Sequence, residues 1–118
     1  MNNAELVQKL EELPEKIKIK SLELLDIQAN IDIYQEQVSR LKVEAMEKVL
    51  TDGLATNAEG RNTAQKKMLE KDQLYIDADK SLREQQKKLR YEQAQLELLH
   101  NQFRAYIAIA GIWVEAKL

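Results

Sequence analysis

The sequence predicts an all-α protein: an antiparallel two-helix coiled-coil hairpin with a short N-terminal helix, self-associating into a helical bundle. Three observations predict it. Met68, Tyr75, Leu82, Leu89, Leu96, Phe103 and Ala110 form an apolar column at intervals of seven with no member missing. A strict seven-residue repeat keeps one seam of a helix facing a partner helix. A second heptad runs upstream in alternating steps of four and three: Leu6, Leu10, Leu13, Ile17, Leu24, Ile27, Ile31, Tyr34, Val38, Leu41 and Ala45. Finally, 32% of the 118 residues are charged, with only 3 Gly and 1 Pro, which is the composition of long helices rather than of turns and strands.

In chain order, the first arm should be broken by Pro14, which lacks an N–H and clashes with the preceding turn. A short helix is expected over about residues 4–13 and a long one over about 14–50. Lys20 is the one polar member of the first seam, and its long stem is expected to carry the ammonium out to water. Thr51-Asp52-Gly53 offers a glycine where a helix end takes a left-handed residue. Thr56-Asn57-Ala58-Glu59 then gives a Thr-x-x-Glu capping box, with Asn57 as an alternative N-cap. The loop is expected over about 51–58. Gly60, just inside the next helix, should weaken it by up to about 1 kcal/mol. The second long helix should run from about 59 to 110, some ~75 Å at the helical rise, leaving an apolar tail over 111–118. All of this makes one helical-hairpin domain over 1–118.

The seams differ in quality. The companion column of the second arm is Lys71, Ala78, Gln85, Glu92, Leu99, Tyr106 in one register and Asp72, Asp79, Gln86, Gln93, His100, Ile107 in the other. Either puts polar residues mid-arm. Off-seam apolar residues widen both stripes: Ile19, Leu22, Leu25, Ile33 and Met46 on the first arm, and Leu69, Leu74, Ile76 and Leu98 on the second. Widened stripes belong to bundles, so a dimer of hairpins or a higher oligomer is expected.

Chemistry is poorly provided for. The chain has no cysteine and one histidine, His100, which lies near Glu97 and Arg104 at helical spacing. One His without Cys is a poor metal or catalytic site, and an interface or surface role is the favoured reading. Asp72, Asp77 and Asp79 match no calcium loop and read as solvated helix charges. No Gly-rich phosphate loop or nucleophile motif is present. The expectation is a non-enzyme without cofactor or metal. The acidic stretch Met1 to Glu12 lacks the regions of a signal peptide, and the apolar run Tyr106 to Val114 is about half a membrane span. A cytoplasmic protein without a membrane partner is expected.

Charge is unevenly placed. Residues 1–60 carry 7 basic and 12 acidic side chains, and residues 61–90 carry 9 and 5. Lys80, Arg83, Lys87 and Arg90 align along one helix face, a stripe of the kind that tracks a phosphate backbone. Ion pairing with Glu23, Asp26 and Asp32 across the hairpin explains it without a ligand and is preferred. No aromatic residues interleave the stripe to stack on bases. Tyr106, Ile109, Ile112 and Trp113 mark an apolar end. It is either covered by Leu6, Leu10 and Leu13 or offered to a partner or a second copy, with Trp113 as anchor.

From Thr56 onward the chain resembles a family of small coiled-coil proteins of bacteriophage and prophage genomes. The matching residues are Thr56-Asn57-Ala58-Glu59-Gly60-Arg61, then Met68-Leu69, Asp72 and Tyr75, then Leu82-Arg83, Leu89, Ala94, Leu96-Glu97, Leu99 and Phe103-Arg104-Ala105. The likeness covers about residues 40–110. It implies an accessory protein of the infected bacterial cell, encoded near recombination and DNA-maintenance genes, in a family whose molecular role is largely unassigned. The leading expectation is therefore a non-enzymatic protein that binds itself and a protein partner of DNA metabolism. Direct nucleic-acid binding through Lys80, Arg83, Lys87 and Arg90, with Lys66 and Lys67 beside them, is the alternative. A virion or scaffold component is a third. A holdase-like chaperone would need apolar tips, and the predicted tip, Gly53 to Asn57, is small and mostly polar.

Overall fold

A computed structural model describes residues 2–117, with side chains through Ile112. Three helices account for nearly all of it: α1 (Asn3–Asp52), α2 (Ala58–Glu70) and α3 (Gln73–Lys117). No strand occurs among the described residues. The chain is all-α.

α1 begins at an asparagine cap, Asn2 Oδ1 accepting from the Glu5 N–H at 2.8 Å. It then runs 50 residues without a stop. Pro14 does not divide it, contrary to the expected break after Leu13. The proline removes the one N–H that would bond to the Leu10 carbonyl. The helix survives because the buried seam continues across that turn, with Leu6 and Leu13, 3% and 4% exposed, before the proline and half-buried Ile17 after it, while Pro14 itself points outward.

The end of α1 follows its sequence signal. Gly53 is left-handed, at φ 62°, and the Leu54 N–H reaches back to the Val49 carbonyl at 3.2 Å, the 6→1 bond of a Schellman stop. A Cβ built on Gly53 meets nothing within 4 Å, so its only obstacle is the backbone conformation. Gly53→Ala should therefore cost about 1 kcal/mol, read as a lowered midpoint in urea with an unchanged m-value.

The second arm is not one helix. Around Lys71 and Asp72 the bonds shorten to i→i−3, Lys71 N–H to the Met68 carbonyl and Asp72 N–H to the Leu69 carbonyl, both 3.2 Å. Asp72 Oδ1 then accepts from the Leu74 N–H at 3.0 Å, capping α3. An aspartate competes with the helix for backbone donors, so it favours a new start over a continuation. The apolar column from Met68 to Ala110 thus crosses a helix boundary. At its other end α3 runs on to Lys117, beyond the tail boundary expected at residue 111.

Packing divides the chain into two units, residues 1–27 with 88–118 and residues 28–87. In the first, the start of α1 packs on the end of α3. Leu6, Leu13 and Ile27 are buried, and Leu24, Leu89, Leu96, Phe103 and Ala110 are half-buried. In the second, the chain reverses through residues 53–57. Its core holds Ile31, Val38, Leu41, Val49, Leu69, Ala78 and Leu82, flanked by half-buried Tyr34, Met68 and Tyr75. Burial also decides between the two companion columns. Ala78 is 4% exposed and Ile107 50%, so Ala78, Gln85, Glu92, Leu99 and Tyr106 complete the α3 seam.

Candidate protein-interaction surfaces

That seam carries two polar side chains, one in each unit. In the first unit Glu92 meets Lys20, the single polar member of the facing α1 seam. Their side chains are 15% and 22% exposed and joined by a salt bridge. Glu23, one turn along α1, takes the same ammonium at 3.0 Å. The hydrogen bond that the ammonium donates to Glu92, and then the one it donates to Glu23, hold the Lys20 pKa above the ordinary lysine value. Lys20 therefore does not leave the seam for water. Its charge has a dedicated partner inside it. A slip of one heptad would set the ammonium against Leu99, so the pair fixes which turns of the two helices face each other.

In the second unit Gln85 Oε1 is buried without a hydrogen-bond partner among the described residues. In the same unit Gln65 Nε2 donates to the Lys42 carbonyl at 2.7 Å, tying α2 to α1.

The loop residues Thr56 to Arg61 have local structural work. Asn57 Oδ1 caps α2, accepting from the Gly60 N–H at 2.6 Å. Arg61 Nη2 donates to the Thr56 carbonyl at 3.2 Å. Asn57, the alternative, is the cap rather than Thr56. Gly60 is not the weakness it looks like in the sequence. A Cβ there would lie 3.0 Å from both Ala55 Cβ and Asn57 Oδ1, pressing on the capping oxygen itself. Asp72 has an equivalent duty at α3, and Asp72→Ala should lose about 1 kcal/mol of stability, visible as a lowered denaturant midpoint. An unchanged midpoint would mean the cap contributes nothing.

The basic residues face outward. Lys80, Arg83 and Lys87 in the second unit, and Arg90 in the first, are exposed. Among the described residues the only ion pair they make is Arg83 with Asp79, 2.9 Å away on its own helix. The cross-hairpin pairing expected with Glu23, Asp26 and Asp32 is not formed. Glu23 holds Lys20, and Asp32 accepts from Gln28. The physical reason is direction, since α1 lies against the seam side of α3 and the stripe lies off it.

At the apolar end, Tyr106 and Ile109 are half-buried and Ile112 is 63% exposed; the side chain of Trp113 lies outside the described residues. Leu6 and Leu13 are buried in a unit whose only other segment is 88–118, so the start of α1 covers the seam side of this end. His100 is half-buried. No group of three or more His, Cys, Asp or Glu suited to a metal occurs among the described residues, and no helix there is long and apolar enough to cross a membrane.

Compared with protein-family models, curated proteins and solved structures, the chain matches none.

Large apolar side chains are exposed on the outer faces of the helices. In the first unit Ile19, Leu22 and Leu25 on α1 are 50–66% exposed, as are Tyr91, Leu98, Ile107 and Ile112 on α3. In the second, Ile33, Val43, Leu50, Leu54 and Leu74 are 54–65% exposed. Six of the twelve, Ile19, Leu22, Leu25, Ile33, Leu74 and Leu98, are off-seam apolar residues of the heptad reading. Leu69, which the heptad pattern places with them, is instead buried, at 6%. Val49 lies outside both expected sets and is fully buried, although steps of four from Leu41 through Ala45 lead to it.

Proposed function

We propose that this chain is a non-enzymatic binding protein that self-associates and holds a protein partner on the outward faces of its helices. The observation that carries the reading is the row of large apolar side chains exposed off the seams, Ile19, Leu22 and Leu25 foremost. A solvated helix has no use for three such residues within two turns, and apolar patches of this kind mark contact sites. The likeness of residues 40–110 to phage and prophage coiled-coil proteins supports a partner in recombination or DNA maintenance within a bacterial cell. The test is capture from bacterial lysate with wild type beside Leu22→Glu, Leu25→Glu, both checked for equal helicity. A specific protein held by wild type and released by the variant is expected. An identical captured set would sink the assignment to this face.

A second reading has its own observation: Lys80, Lys87 and Arg90 are exposed and make no ion pair among the described residues. Direct nucleic-acid binding predicts affinity for a labelled duplex that falls with salt, log K dropping by about 0.9 per phosphate contacted for each tenfold rise in salt. Reversing the stripe to glutamate should remove that slope. If no salt-sensitive binding exists in wild type, the stripe only solubilises the helix.

A further inference from the structure

The outer face of α3 in the first unit carries a second heptad seam. Tyr91, Leu98, Ala105 and Ile112 recur at intervals of seven, and Ala94, Asn101 and Ala108 form the column between them, in steps of three and four. Every one of the seven is exposed, with Tyr91, Leu98 and Ile112 at 63%, 51% and 63%. This periodicity has no counterpart in a merely solvated face. An apolar heptad specifies a helix partner, and α1 already occupies the opposite side of α3.

We infer that the occupant is a second copy of the same helix, running antiparallel about a twofold axis through Asn101. This deepens the self-association reading above and rests on it. Three features of the stripe favour that pairing. Asn101 is its central member and its only polar one. A twofold axis there sets two asparagines face to face, where each amide can donate to the other, and a lone Asn in a seam is a known device for fixing alignment. The same axis sets Leu98 against Ala105 of the second copy, large against small, and Ala94 against Ala108 of the second copy. It also brings Glu97 beside Arg104 of the second copy, twice by symmetry. Both flanking residues are exposed, and the Arg104 guanidinium already leans over the centre of the stripe, Nη1 lying 3.4 Å from Asn101 Oδ1. In a parallel pairing Glu97 would face Gln102 of the second copy instead, and the charges would go unmatched. Self-complementarity of this kind is what an isologous twofold interface requires.

The experiment uses the full chain, which contains no cysteine, so single cysteines report without background. Light scattering comes first. A dimer, or a multiple of one, is expected, while a monomer at every concentration overturns self-association and this seam together. Under mild oxidation Asn101→Cys should crosslink to itself. Leu98→Cys and Ala105→Cys should each fail alone and crosslink when mixed, since a disulfide needs facing Cβ atoms. An oligomer in which Asn101→Cys does not crosslink overturns the seam and leaves self-association standing. Self-crosslinking of Leu98→Cys overturns the antiparallel arrangement. As an independent check, Glu97→Arg should weaken dimerisation about tenfold, and adding Arg104→Glu should restore it, with helicity by circular dichroism unchanged throughout. No change in Kd across the three proteins overturns the proposal.

Discussion

Val49→Asp is expected to unfold the second unit, residues 28–87, under conditions where wild type is folded. Val49 is the most deeply buried large side chain among the described residues, at 0% exposure, and it sits in the last turns of α1 just before the chain reverses. Aspartate there is a carboxylate without solvent or counter-charge, a change worth more than about 4 kcal/mol. Val49→Ala removes two methyl groups and leaves a small cavity, for about 2 kcal/mol. The neighbouring Leu50 is 55% exposed, and Leu50→Asp should stay within about 0.5 kcal/mol of wild type. Urea unfolding of the three variants by circular dichroism decides it. Equal midpoints for Val49→Asp and Leu50→Asp would mean that α1 does not end with its Val49 face inward.

The Lys20–Glu92 pair should give the largest charge effect. Glu92→Lys places two ammonium groups in a seam where the native side chains are 22% and 15% exposed, and the melting temperature should fall well below that of wild type. Lys20→Glu should do the same, and the swapped double variant should recover most of the loss. Replacing both by leucine should hold or raise stability, because an apolar seam escapes the desolvation penalty, while the constraint on alignment is lost. The pH dependence has a definite sign. The Lys20 pKa is raised in the folded chain, so its stabilisation is complete below the ordinary lysine pKa of about 10.4. It is lost as pH rises through the raised value. Melting curves at pH 7 and pH 11 should show a larger alkaline loss for wild type than for Lys20→Met. Equal losses would show that the ammonium gains nothing from Glu92.

Much of this fold is legible in the sequence, and what is not has identifiable causes. Helical composition and the two heptads mark the helices, and the buried positions Ile27, Ile31, Val38, Leu41 and Leu82 all belong to those columns. Gly53 announces the end of α1. Local rules mislead where tertiary packing competes with them. Pro14 reads as a break, yet buried Leu6 and Leu13 carry the helix through it. Asp72 reads as one more helix charge, yet its side chain takes a backbone donor and starts a new helix. Lys20 alone looks like a polar residue seeking water, because its partner is 72 positions away. The outward surfaces were half legible. The apolar residues off the seams were evident, but which of them faced solvent depended on where α1 settled against α3.

The division of the chain bears on the order in which it assembles. Residues 28–87 form a unit from one contiguous stretch of sequence, its two arms joined by a five-residue loop. The other unit joins residues 1–27 to 88–118, and its contacts cannot form until the whole intervening stretch has been spanned. Loop closure makes such distant contacts slow when they form alone and fast once the stretch between them is already folded. Folding should therefore start at the turn and close like a zip toward the two termini. During synthesis Leu6, Leu13 and Lys20 wait for partners that emerge after the intervening stretch, and until then the first arm holds its apolar face open to whatever is nearby.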